Sequence, residues 1–184
     1  AVIACDQHTS NPGYWEDVAR QVGPAPSSLH LVFPEAYLEA ADRTQRIADI
    51  LSNMADYAAR DILQELPPGL VLIDRQTPHV ASRRGLLVAL DLEQYSYEEG
   101  SGTLIRTTEG TVVSRLAPRI ENRRGATLEL PHIMVLIDDP HRTVIDPLFD
   151  QPLPELYDTE LMLGGGRVRG WHVRDGAQIE QVVT

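Results

Sequence analysis

The stretch DRTQRIADILSNMADYAARDILQELPPGLVLI, Asp42 to Ile73, decides the fold class. Behind a capping Asp42, the residues Ile47, Ile50, Leu51, Met54, Tyr57, Ala58, Ile62 and Leu66 recur at helical spacing. That spacing predicts a long amphipathic helix over 42–66. Pro67-Pro68-Gly69 stops it, and Leu70 to Ile73 then reads as a strand. Helix, breaker and buried strand in succession mark a chain that mixes both element types.

Outward from this unit the same alternation continues. Toward the N-terminus, Val2 to Cys5 and Leu29 to Phe33 read as short strands, with a helix at Tyr14 to Val22 stopped by Gly23-Pro24. Toward the C-terminus, Gly85 to Leu92 reads as a strand, and Leu130 to Ile137 as a fully buried one closed by the acidic turn Asp138-Asp139-Pro140. Leu156 to Leu163 and Arg167 to Val173 form a hairpin-like pair turning at Gly164-Gly165-Gly166. Thr111 to Asn122 has a helical face interrupted by Pro118, hence a kinked helix or two short ones. The expected fold is α/β of the mixed α+β kind: one mixed sheet with flanking helices, in a single domain spanning 1–184. Ala1 opens an apolar run, and residues 177–184 look like the start of an unfinished helix, so the chain is expected to be a fragment of a longer protein.

Composition narrows the chemistry. The 184 residues carry 27 acidic and 16 basic side chains, a formal charge of −11 that disfavours general binding to nucleic acid or anionic lipid. All basic residues other than histidine are arginine, which excludes lysine Schiff-base chemistry and a P-loop lysine. One cysteine, Cys5, rules out an internal disulfide framework. No run approaches the ~18 apolar residues of a membrane span, and no cationic signal peptide opens the chain; a reducing cytoplasm fits best. The six histidines, at 8, 30, 79, 132, 141 and 172, form no close ligand pair, so no metal site is expected.

Two constellations carry chemistry. Arg106, Arg115 and Arg119 flank a glycine turn, with Thr107, Thr108 and Thr111 as hydroxyl donors. Arginine forks grip phosphate or carboxylate through two oxygens, so this block is a candidate anion pocket. The same arginines would equally serve as ion-pair partners for Glu109 and Asp91. Asp6 and His8 follow the first strand, where open α/β sheets place ligands, and would act as acid and base or hold a metal. A loop whose Asp6 bonds local amides is the plain alternative, with Trp15 anchoring a helix. Asp138-Asp139 would suit Mg²⁺ beside a phosphate but reads better as a turn.

Several boxes together resemble one family. They are VIACDQHTSNPGYW (2–15), SSLHLVFPEAYL (27–38), LIRTTEGTVVSRLAPRIENR (104–123), LELPHIMVLIDDP (128–140) and LYDTELML (156–163). The chain is similar over almost its whole length to the bacterial and archaeal family catalogued as domain of unknown function one-zero-one-five. Family members are about twice this length, and their second half carries a GDGNHS or DGHHR box similar to the ParB/sulfiredoxin-like superfamily, which includes free-serine kinases. That box is absent here. Another branch has a HERT box whose arginine is followed nine residues later by a second arginine. Arg106-Thr107 and Arg115 reproduce the spacing, with Leu104-Ile105 standing where that branch has His-Glu. The resemblance implies part of a nucleotide- or phosphate-using small-molecule phosphotransferase. Arg106, Thr107 and Arg115 would bind phosphate, and Asp6 and His8 would be catalytic. The alternative is a non-catalytic small-molecule binding or regulatory module. The cofactor stays open, a nucleotide with Mg²⁺ being the candidate; the partner is a small-molecule ligand, and the oligomeric state is not legible.

Overall fold

The computed structural model describes residues 8–96, 98–106, 110, 112–130, 132–162 and 164–183. The chain divides into two compact units, Ala1–Leu87 with Gly125–Thr184, and Val88–Arg124.

In the larger unit Asn11 caps helix α1 (Pro12–Val22), its Oδ1 accepting from the Tyr14 amide at 3.2 Å, with Pro12 pre-setting the first turn. The buried face of α1 presents Tyr14, Trp15 and Val18, against which Leu29, Tyr37 and Met162 pack. The segment read as a strand at Leu29 to Phe33 is instead a 3-10 turn, Ser28–Leu31, capped by the Ser27 hydroxyl on the Leu29 amide. A short side-chain cap and one buried residue, Leu31, suffice there, and no strand partner is needed.

Helix α2 (Arg43–Ala59) ends seven residues before the expected Leu66. Asp61 adopts a left-handed backbone, φ 54°, while the Ile62 amide donates to the Tyr57 carbonyl and the Asp61 amide to that of Ala58. This bond pair is a Schellman stop, and Ile62 packs against the cluster of Leu31, Met54 and Tyr57, an apolar contact of the kind that often accompanies the motif. The apolar spacing continues past a stop that the sequence encodes in an aspartate rather than a glycine.

The main sheet is entirely antiparallel, ordered β2-β1-β6-β5. Its strands are β1 (Leu70–Gln76), β2 (Arg83–Leu87), β5 (Glu155–Leu161) and β6 (Gly166–Val173). The expected hairpin is therefore present, and the expected strand from Gly85 starts and ends earlier. One face carries Leu70, Leu72, Leu86, Trp171 and Val173 onto Ile145, Leu148, Phe149 and Leu153 of the following segment, and onto Ile179 and Val182 of helix α4 (Gly176–Val183). Beyond this apolar patch the same face turns polar. Register aligns Arg84, Asp74, Arg169 and Asp158 in one row across the four strands. Asp74, 6% exposed, accepts from Ser82 Oγ and Arg169 Nη2, both at 2.6 Å. Burial pushes its carboxyl up, but the Ser82 and Arg169 hydrogen bonds outweigh it and hold Asp74 below the usual carboxylate range.

The segment 132–137 departs most from expectation. No strand forms there, and Ile133, Met134, Val135, Leu136 and Ile137 are 54% exposed or more. A continuous apolar run predicts burial but does not name the neighbour that supplies it. Asp139 behind it is a turn residue, as read: its carboxylate accepts from the Thr143 and Val144 amides at 3.0 and 2.9 Å. Those backbone bonds lower its pKa.

The smaller unit holds a parallel pair, β3 (Tyr95–Ser96) beside β4 (Ile105–Arg106), and helix α3 (Leu116–Arg123) preceded by a 3-10 turn over Val113–Arg115. Of the two expected arrangements, the two short helical pieces form, and Pro118 falls in the first turn of α3, where its missing N–H costs nothing. Among the described residues no helix is long and apolar enough to cross a membrane.

Candidate functional site

Arg106 sits at the end of β4, opposite Ser96 in the parallel register. The loop before it is tied by its own hydroxyls. Ser101 and Thr103 share a hydrogen bond of 2.9 Å, and Thr103 Oγ1 donates to the Ile105 carbonyl at 3.2 Å. Against this loop the Arg106 Nε donates to the Thr103 carbonyl at 3.2 Å, and its side chain stands exposed. One donor of the fork is thus used to orient the guanidinium. Among the described residues no carboxylate meets it, so the ion-pair alternative finds no partner for Arg106 there. Pinning Nε on backbone leaves the two terminal nitrogens as the bidentate edge that a phosphate or carboxylate requires.

The backbone of Arg115 closes the 3-10 turn that leads into α3. Arg119 and Arg123 follow at helical spacing on that helix, with Arg123 in its last turn. Thr107, Thr108, Glu109 and Thr111 lie outside the described residues, as does Asp6. Of the five residues expected at the site, Arg106 and the Arg115 backbone thus fall within one compact unit and His8 within the other.

His8 is built into the entry of α1. Its carbonyl accepts from the Trp15 indole N–H at 3.0 Å and from the Asn11 amide at 3.1 Å. Its ring stacks on Tyr14, centroids 4.1 Å apart and planes 8° from parallel. Trp15, 3% exposed, anchors the helix in the core, as the plain reading had it.

Sequence reading missed a polar cavity of about 340 Å³ lined by His30, Asn53, Asp56, Tyr57 and Arg60 with Gly23, Pro24 and Pro26. Tyr57 Oη accepts from the Ser27 amide at 2.9 Å and lies 2.9 Å from His30 Nδ1, with the Ser27 carbonyl more distant at 3.5 Å. Arg60 pairs with Asp56 at 2.8 Å, and Asn53 donates to the His30 carbonyl at 3.2 Å. The signal was available: Asn53, Asp56, Tyr57 and Arg60 are spaced three, four and seven apart, a polar stripe on α2 beside the apolar one. Counting Tyr57 only as core hid it.

Among the described residues no group of three or more His, Cys, Asp or Glu side chains converges as a metal site would require. No curated protein and no solved structure matches the chain. A family model described as "Protein of unknown function (DUF1015)" matches residues 1–184, the full sequence, and the protein belongs to that family.

Proposed function

We propose that the block from Thr103 to Arg119 binds the phosphate of a small molecule. On this reading the chain works as part of a nucleotide- or phosphate-using phosphotransferase. The observation that carries the reading is Arg106: an exposed guanidinium oriented through Nε on the Thr103 carbonyl, with its bidentate edge meeting no carboxylate among the described residues. Thr107 beside it and Arg115 nine positions on would add donors to the same anion. Chemistry of this kind rests on positioning and charge stabilisation rather than on a covalent intermediate. The resemblance of other family members to the ParB/sulfiredoxin-like superfamily, carried by a box that this sequence lacks, favours phosphoryl transfer over other anion chemistry, with Asp6 and His8 as the acid–base candidates.

The second reading, a non-catalytic binding or regulatory module, draws support from His8. A ring stacked on Tyr14, on a residue whose carbonyl also accepts from the Trp15 indole N–H, has a structural use that needs no proton transfer.

Calorimetry on the intact protein with ATP, ADP and inorganic phosphate tests both. We expect saturable binding of at least one of the three, weakened about tenfold or more by Arg106→Ala, the loss typical of a charge-assisted hydrogen bond. No binding of any probe, or binding untouched by Arg106→Ala and Arg115→Ala, overturns the phosphate site. Binding without turnover of ATP, in wild type and His8→Gln alike, selects the module.

A further inference from the structure

We propose a second ligand site, for a small organic carboxylate, in a cavity of about 270 Å³ where β6 runs into α4. This goes beyond the phosphate reading and uses other residues. The motivating group is His172, which lines the cavity and is 5% exposed. Its backbone N–H is satisfied by the Pro154 carbonyl at 2.9 Å, but among the described residues its ring nitrogens have no hydrogen-bond partner. Those nitrogens are not sealed from solvent, so an otherwise buried ring keeps its polar atoms open to a ligand in the cavity.

The fold makes room for this ring deliberately. Gly69 leaves the space, since a Cβ there would stand 2.6 Å from His172 Nε2 and 2.5 Å from the Val173 carbonyl oxygen. Arg174, two residues along, lines the same cavity. No carboxylate pairs with Arg174 among the described residues. Asp175 is adjacent, but its Oδ1 is taken by the Ala177 and Gln178 amides at 3.0 and 3.1 Å, where it caps α4. A guanidinium and an imidazole lining one cavity can both donate to an anion. Leu153 and the flanking prolines give that cavity an apolar wall, which selects an anion with a hydrocarbon body over a bare inorganic one. Gln178 completes the rim.

The test is an NMR titration of the intact protein with butyrate, acetate, butyramide and inorganic phosphate, following the His172 ring signals. We expect a saturable shift with butyrate, a weaker response to acetate, and responses to butyramide and phosphate about tenfold weaker or more, reflecting the loss of the charged contact or of the apolar one. Arg174→Gln, an exposed position, should weaken butyrate about fivefold or more while leaving the spectrum folded. His172→Gln should do the same; if it unfolds the chain, Arg174→Gln decides. Absence of saturation with either carboxylate, stronger binding of phosphate than butyrate, or an unchanged response in Arg174→Gln overturns the assignment.

Discussion

Two apolar stretches of this chain carry nearly the same sequence signal and meet opposite fates. Leu70–Gln76 becomes β1, the second strand of an antiparallel sheet, with Leu72 1% exposed between Leu86 and Trp171. The run 132–137, longer in aliphatic residues, forms no strand, and Leu136 is 75% exposed. Composition does not separate them. What separates them is pairing: β1 has an antiparallel neighbour on each side and a layer over its apolar face, supplied by residues 145–153 and α4. A strand's hydrophobicity is a property of its own sequence, whereas its edge partners come from distant ones.

That contrast sets the largest expected effect. Leu72→Ala should cost about 2–5 kcal/mol in denaturant unfolding, the range for emptying a filled core position. The amides of β1 and β6 should also be the slowest to exchange with deuterated solvent, because both strands are paired along their length. A Leu72→Ala cost below about 1 kcal/mol would break the comparison by showing that this face is not the core.

Next in size is the turn that lets β5 and β6 pair. Gly166 has φ 86°, and a Cβ on it would lie 2.1 Å from the Gln76 carbonyl oxygen, a backbone atom that cannot rotate away. Gly166→Ala should cost about 2–4 kcal/mol, combining left-handed strain with the clash. Unfolding midpoints in urea at unchanged slope would check it.

Asp74 sharpens the comparison from the polar side of the sheet. Asp74→Ala should cost about 1–3 kcal/mol, less than a fully buried pair because Arg169 is 42% exposed. Its folded pKa is depressed, so the stability it contributes is fully present above the usual carboxylate pKa of about 3.9 and is lost as pH falls through the lower folded value. Asp74→Asn should flatten that part of the stability–pH curve, measured as unfolding midpoints across the acid range.

Much of this was legible from residues alone. The β5–β6 hairpin followed from apolar runs around Gly164-Gly165-Gly166, and the mixed α+β class from the helix–breaker–strand unit at 42–73. Helix α1 was readable over Tyr14 to Val22, two residues short of its start at Pro12. The end of α2 was not, because Asp61 takes the left-handed position usually filled by glycine. The 3-10 turn at Ser28–Leu31 was hidden because its apolar residues serve two helices rather than a sheet. At the candidate site, arginine and threonine types were readable, but the feature that orients Arg106, an Nε bond to the Thr103 carbonyl, depends on loop geometry that no spacing rule carries. The polar stripe of α2 was readable in principle and was overlooked because Tyr57 belongs to the core through its ring and to the cavity through its hydroxyl.

The smallest expected effect is the most diagnostic. With Leu136 at 75% exposure and Ile133 at 89%, Leu136→Ala and Ile133→Thr should each change stability by no more than about 0.5 kcal/mol, as surface substitutions do. Among the described residues the backbone of 133–137 makes no hydrogen bond, so its amides should exchange fast while those of β1 stay protected. The two measurements must agree to mean anything about pairing. Fast exchange with near-neutral substitutions keeps the contrast intact: hydrophobicity without an edge partner does not make a strand. Slow exchange together with a Leu136→Ala cost approaching that of Leu72→Ala would erase it. The stretch 130–137 would then be the buried strand that its sequence spells, paired in solution with a neighbour of its own.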